Sequence, residues 1–308
     1  MDLQLTIRRG AERLAAAGIA SCHTDAELLA AHAWGLSRAQ LQLQALSGTG
    51  AHPADPQQTR FWELIEERAR RVPLQHITGF APFRWLELRV GPGVFVPRPE
   101  TETVVELALQ HLRTLHSEGV RAPRVVDLGT GSGAIAASIA LEFPNAEVHA
   151  VELSAEAAAW AQLNFQRLPA TASKVTLHQC DLRDFPQQWS QDPAGGGSSF
   201  DVVVSNPPYI PPHMVPVEQE VRDHDPEIAL YGGGPEGLEL PAAVVSAAVT
   251  VLAPGGRLIL EHAEVQAEAV AGLCRAEPAL TSVQSHQDLT GRQRATSARV
   301  RSTSEPAA

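Results

Sequence analysis

Residues 124–133 read Arg124-Val125-Val126-Asp127-Leu128-Gly129-Thr130-Gly131-Ser132-Gly133. A short apolar run that opens into alternating glycines and then into Ala134-Ile135-Ala136-Ala137 reads as a buried strand turning sharply into a helix. Glycine lets the chain turn tightly there and lets a ligand lie against bare backbone. The next strand-like run, Glu147–Val151, leads to Glu152. A carboxylate in that place can accept charge-assisted hydrogen bonds from both hydroxyls of an adenosine ribose. Gly129, Thr130, Gly131, Ser132 and Gly133, together with Glu152, therefore point to an adenosine-containing cofactor in the crevice beyond the strand ends.

The loop alone leaves the cofactor open. Gly129-x-Gly131-x-x-Ala134 also satisfies the relaxed dinucleotide fingerprint, so a nicotinamide enzyme competes at this point. Asp127 favours another ligand, because an acid is useful where the ligand's near end carries an ammonium group, as the methionine part of S-adenosylmethionine does. Asp181, after the third strand-like run, is placed either to reach the adenine amino group or to cap a helix from Phe185 onward.

Outward from this stretch the pattern repeats. Runs at Val175–Cys180, Phe200–Ser205 and Arg257–Glu261 alternate with helical spacing, including a helix through Leu240–Leu252. Two further runs near 281–287 and 295–300 suit an antiparallel addition at one edge. Strands alternating with helices predict an α/β fold, a doubly wound sheet with a mainly parallel core, spanning 99–301. Residues 1–72 read instead as a small all-α domain, either scaffold or docking surface, with Thr24-Asp25 and Ser37 as helix caps and a break at His52-Pro53-Ala54-Asp55-Pro56. Arg68, Arg70 and Arg71 suit a helix C-terminus. Between the two, in the linker 73–98, alternation from Phe83 to Pro97 around Gly91-Pro92-Gly93 predicts a β-hairpin. Gly195-Gly196-Gly197-Ser198-Ser199 reads as a flexible insertion and 302–308 as a loose tail.

Composition excludes some partners. Across 308 residues the net charge is −11 and Lys174 is the one lysine, which argues against a basic nucleic-acid groove and suits a basic protein partner. Cys22, Cys180 and Cys274 fit no metal or paired-cysteine spacing, so no metal is expected. No apolar run is long enough to span a membrane, and a cytoplasmic protein is expected.

The chemistry is written in Phe200-Asp201-Val202-Val203-Val204-Ser205-Asn206-Pro207-Pro208-Tyr209. A buried strand runs into a stiff tetrapeptide whose two prolines fix their own φ and hold Asn206 extended. An amide or aniline-like NH2 is a poor nucleophile, because its lone pair is delocalised. The Asn206 side-chain oxygen and a backbone carbonyl, that of Pro207, can accept its two N–H bonds and hold the nitrogen in line with a methyl donor. Tyr209 can lie against the flat face of the group, and Pro208 completes the rigid wall. A dehydrogenase has no use for this tetrapeptide. An adenine N6 amine presents the same flat NH2, so an amino-methyltransferase acting on nucleic acid is the alternative substrate reading.

With these motifs in hand, the chain resembles the release factor glutamine N5-methyltransferases, the PrmC/HemK family. The resemblance rests also on Leu74-Gln75-His76-Ile77-Thr78-Gly79, on Phe95-Val96-Pro97-Arg98-Pro99-Glu100-Thr101-Glu102, on Asp225-Pro226-Glu227-Ile228-Ala229-Leu230, on Gln266 and on Asp288-Leu289-Thr290-Gly291-Arg292. It implies a Rossmann-like class I methyltransferase sheet, S-adenosylmethionine as cofactor, and methylation of the glutamine in the Gly-Gly-Gln loop of peptide chain release factors. Carried over by position, Gly129 to Gly133 and Glu152 would bind the cofactor, Asn206 to Tyr209 the glutamine, with Asn206 bordering both, and Phe95 would close over the reaction site from the hairpin. Read without the resemblance, Phe95 is equally a core residue of that hairpin. Glu152 stands where aspartate is usual, His76 where tyrosine is, Asp225 where glutamate is, and His262-Ala263 where an Ile-Gly pair is.

Overall fold

The computed structural model describes residues 3–47, 55–191 and 199–302. The break at His52-Pro53-Ala54, the run Gly195 to Ser198 and the tail beyond 302 lie outside the described residues. The chain forms two compact units, Met1–Phe80 with Pro216–His224, and Ala81–Val215 with Asp225–Ala308. Among the described residues no helix is long and apolar enough to cross a membrane.

The first unit is helical: α1 (Leu3–Ala16), α2 (Cys22–Trp34), α3 (Arg38–Ser47), α4 (Asp55–Ala69) and α5 (Leu74–Thr78). Leu14, Leu29, Phe61, Leu64 and Ile65 are fully buried and form its centre. Ser37 caps α3 as expected, its Oγ accepting from the Gln40 N–H at 3.2 Å while Gln40 Oε1 accepts from the Ser37 N–H at 2.8 Å. Asp25 is no cap. It lies inside α2, which starts at Cys22, and its side chain is buried against Arg68, whose Nε donates to Oδ2 at 2.8 Å. The unit also runs past the expected boundary at 72, through α5 to Phe80.

It takes in a distant segment as well, which carries α10 (Gln219–His224). Glu220 of α10 accepts from Arg68 Nη1 at 2.9 Å and from Arg71 Nη2 at 2.7 Å. These arginines, expected to serve a helix dipole, instead join residues about 150 positions apart. With Arg68 and Asp25 side chains only 8% and 6% exposed, Arg68→Ala leaves a buried carboxylate without its counter-charge. We expect a loss of roughly 3–5 kcal/mol in stability, read by urea denaturation. A loss below about 1 kcal/mol would show the pair to be idle.

The second unit opens with a hairpin of β1 (Phe80–Phe83) and β2 (Leu86–Arg89). Its turn is Arg84-Trp85, not the Gly91-Pro92-Gly93 stretch that the alternation suggested. Arg84, at φ +49, anchors the turn: its N–H donates to Glu102 Oε1 at 3.0 Å and its guanidinium to Glu142 and Glu106. The glycines at 91 and 93 answer to packing. An added Cβ would come within 2.6 Å of the Trp160 ring at Gly91 and 2.4 Å of Glu156 at Gly93.

The sheet follows, as the strand–helix alternation predicted. Its strands are β3 (Arg124–Leu128), β4 (Glu147–Glu152), β5 (Val175–Gln179), β6 (Phe200–Ser205), β7 (Leu252–Glu261), β8 (Leu280–Gln287) and β9 (Gln293–Val300), in the order β5-β4-β3-β6-β7-β9-β8. The first five pair parallel and β9 pairs antiparallel with both β7 and β8. Successive residues serve opposite faces. Val125, Val148, Val202 and Ile259 pack toward α6 (Glu102–Ser117), α7 (Ala134–Glu142) and α8 (Ala155–Gln166). Val126, Val203, Leu258 and Leu260 pack toward α9 (Phe185–Gln191), α11 (Glu239–Val251) and α12 (Ala267–Ala276). The strand order reverses between β3 and β6, and open α/β sheets bind ligands at the carboxyl ends of the strands beside such a point.

Candidate active site

The glycine loop leaves β3 at this reversal point. Gly129, Gly131 and Gly133 have φ of +77, +57 and +84, which side chains disfavour. Their surroundings differ. A Cβ at Gly129 or Gly131 would meet nothing within 4 Å, so open space lies over that backbone, whereas one at Gly133 would strike Phe165 at 2.6 Å. The first two glycines thus leave room for a ligand and the third lets α7 approach α8. The loop is fixed from β4, where Val151 O accepts from the N–H groups of Gly129 and Thr130, each at 2.9 Å.

Asp127 is fully buried; its Oδ2 accepts from Thr130 Oγ1 at 2.6 Å and from the Ala136 N–H at 3.2 Å, while Oδ1 has no partner. Burial pushes its carboxyl up to about 7, against the pull of those two hydrogen bonds. A buried carboxylate with one idle oxygen at the mouth of a glycine loop fits a cationic ligand group. Glu152 reaches back across the crevice, Oε2 accepting from the Gly131 N–H and Oε1 from the Ser154 N–H, both at 2.8 Å. Ser132 is buried, and its carbonyl accepts from Asn164 Nδ2 at 2.9 Å. Asp181 lies just beyond β5 and is held by Arg183, whose N–H and guanidinium donate to it and keep its carboxyl below the usual range. Its side chain accepts from the Arg183 N–H and its carbonyl from the Phe185 N–H, so Asp181 also caps the turn that leads into α9.

Asn206, Pro207, Pro208 and Tyr209 leave the end of β6, next to β3 in the sheet. Ser205 Oγ donates to Leu128 O at 2.6 Å and ties the two strand ends together. A second segment clamps the loop from behind: the Ile210 N–H donates to Leu230 O and the Gly232 N–H to Ile210 O. The approach is close enough that a Cβ at Gly237 would sit 2.3 Å from Tyr209 O. Buried Gln266 bolts the arrangement, its Nε2 donating to Tyr209 O at 2.8 Å and to Glu236 O at 2.9 Å. Burial, with the Glu261 charge adding to it, raises the Tyr209 phenol above its ordinary value. Phe95 lies past the hairpin, in the loop after β2, half-buried, with the Arg98 guanidinium 5.1 Å from its ring centre.

The run Pro97-Arg98-Pro99-Glu100-Thr101-Glu102 braces this site. Arg98 Nη2 donates to Asp225 at 3.2 Å, and Glu102 receives the Arg84 N–H. Thr101 Oγ1 accepts from Asn206 Nδ2 at 3.2 Å. Glu261, at the end of β7, has its carboxyl pushed up by burial to about 8, with the Thr101 side chain acting in the opposite direction. In the sequence, Thr101 and Glu261 stand out only as members of longer runs. An acid closing the apolar run Leu258-Ile259-Leu260 was the available signal.

Comparison with known proteins bears on the fold and the family. Residues 6–79 match the PrmC N-terminal domain and residues 120–301 a methyltransferase domain, so the seven-stranded sheet is a class I methyltransferase sheet. The chain is 43% identical over 302 residues to a release factor glutamine methyltransferase of Streptomyces coelicolor, covering 97% of this chain and 99% of that one. It is 41% identical to its namesake from Bifidobacterium longum (94% and 96% covered) and 37% to that of Deinococcus radiodurans (97% and 99%). The chain belongs to the release factor glutamine methyltransferase family.

Proposed function

We propose that the protein transfers a methyl group from S-adenosylmethionine to the side-chain amide nitrogen, N5, of the glutamine in the Gly-Gly-Gln motif of peptide chain release factors. The observation that carries this reading is the clamped loop Asn206–Tyr209 standing beside the glycine loop at the sheet's reversal point. The names of the relatives supply the substrate.

The donor, when bound, supplies an electrophilic methyl group on a sulfonium sulfur. The chain holds it with Gly129 to Gly133 along open backbone, with Asp127 toward the methionine ammonium and with Glu152 toward the ribose. Asp181 serves the adenine end. The rest is positioning: Asn206 Oδ1 and the Pro207 carbonyl accept the two N–H bonds of the substrate amide, and Tyr209 and Pro208 flank its plane. Phe95 closes over the site and excludes water. No strong general base is required, because the nitrogen becomes acidic once methylated. We assign docking of the protein substrate to the helical domain, expected over residues 1–72, and place the reaction in the cytoplasm, without direct nucleic-acid or membrane binding.

The test is mass spectrometry of a release factor incubated with the protein and cofactor, with DNA and RNA as parallel acceptors. One added methyl on the loop glutamine is expected. Labelling confined to nucleic acid would overturn the substrate assignment.

A further inference from the structure

Arg257 and Arg299 stand directly opposite one another on the antiparallel strands β7 and β9. Both share the face of Ile259, the face toward α6, and like charges paired in that way repel. Among the described residues no carboxylate is paired with Arg257, and its buried Nε has no hydrogen-bond partner. Burial and the Arg299 charge both pull its guanidinium down from the ordinary value. The two arginines line a cavity of about 670 Å³ between α6 and the face of β7, β8 and β9, with His111 and His286 also in its wall. His286 Nε2 meets Ser297 Oγ at 2.8 Å, whereas His111 Nε2 is buried without a partner. Two acids border the space. Asp201 Oδ2 accepts from the Arg124 N–H at 2.8 Å, and Glu118 is exposed at the end of α6.

We infer that this cavity binds a small phosphate-bearing molecule, with Arg257 and Arg299 as the pair that holds its anion. A doubly charged phosphate supplies the counter-charge that Arg257 lacks and relieves the repulsion across the strands. Each guanidinium offers a planar fork of donors that matches phosphate oxygens in pairs. The space is larger than a free phosphate needs and falls within the roughly 300–1,000 Å³ of small-molecule sites. Leu107, Leu115 and Pro254 give the rest of such a molecule apolar surface, and Gln110 and Gln284 give it amides. Burial, with the Arg257 charge adding to it, pushes the His111 imidazole down to about 4. It is therefore neutral at neutral pH and still has one N–H to give. No residue assigned to the cofactor or to the substrate amide lines this cavity. Arg257 is level with the start of β6, whereas Asn206 follows its end. The site stands apart from methyl transfer.

The test is thermal unfolding of the full chain, with S-adenosylhomocysteine saturating its own site. Inorganic phosphate is titrated against sodium chloride of equal ionic strength. Phosphate also stabilises proteins without binding, through exclusion from their surface, so the readout is the difference between the protein and its Arg257→Gln variant. We expect a saturable rise in Tm, half complete at about 1 mM or below, and at least about tenfold weaker binding in Arg257→Gln. Arg299→Gln should behave alike, and it carries the test should Arg257→Gln not fold. Glycerol 3-phosphate should bind at least as tightly as inorganic phosphate, and acetate at least about tenfold more weakly. A response equal in the protein and its variants, or no saturable response at all, would overturn the inference. So would acetate acting as strongly as phosphate, or glycerol 3-phosphate acting more weakly than the inorganic ion.

Discussion

Asn206→Ala is expected to lower turnover by roughly 10²-fold or more while leaving cofactor affinity within a few-fold. The size follows from what the oxygen does. An amide nitrogen attacks a methyl group only when its N–H bonds are held and its lone pair is brought to bear. In the proposed reading, one of the two acceptors that hold it is the Asn206 oxygen. The other, the Pro207 carbonyl, belongs to a backbone clamped by Gln266 and by the Gly232–Gly237 segment, so the substitution leaves the loop in place. The loss therefore falls on the transition state and not on the fold. Stopped assays with saturating cofactor, together with calorimetry, separate the two. Lost cofactor affinity with unchanged turnover would show that Asn206 had been given the wrong task.

Glu152→Ala is expected to do the reverse. Charge-assisted hydrogen bonds of this kind are worth about 1.5–3 kcal/mol, which corresponds to roughly 10- to 100-fold weaker cofactor binding. The carboxylate has a second duty, since its Oε2 also holds the Gly131 N–H and its Oε1 the Ser154 N–H. Removing it slackens the glycine loop as well as the proposed ribose contact, so the larger figure is expected. Glu152→Asp should recover part of the affinity; the missing methylene shortens the reach toward Gly131. Calorimetric titration with S-adenosylhomocysteine measures both. An unchanged dissociation constant for Glu152→Ala would remove the residue from the cofactor site.

Much of this site could be read from the chain because its demands are local. Three glycines that must adopt positive φ, an acid ending the next strand, and two prolines stiffening the exit of a buried strand each announce themselves within a few residues. What the sequence hid is tertiary. Gly91 and Gly93 looked like a hairpin turn, but they are small because Trp160 and Glu156 press on them, and the turn falls at Arg84 where three acidic side chains gather. Asp25 looked like a cap and is a buried counter-ion. The inclusion of residues 216–224 in the helical unit depends on Glu220 meeting arginines about 150 residues away, a contact with no local trace. Thr101 was visible within its motif, yet its contact with Asn206, 105 residues away, is made by folding alone.

The most direct measurement is a crystal structure of the protein with S-adenosylhomocysteine and a glutamine peptide. The substrate amide nitrogen should stand about 3 Å from both Asn206 Oδ1 and the Pro207 carbonyl, with the cofactor sulfur on its open side and the adenosine along the glycine loop. A complex that leaves residues 206–209 remote from the sulfur, or a crevice that takes a nicotinamide dinucleotide instead, would contradict the account.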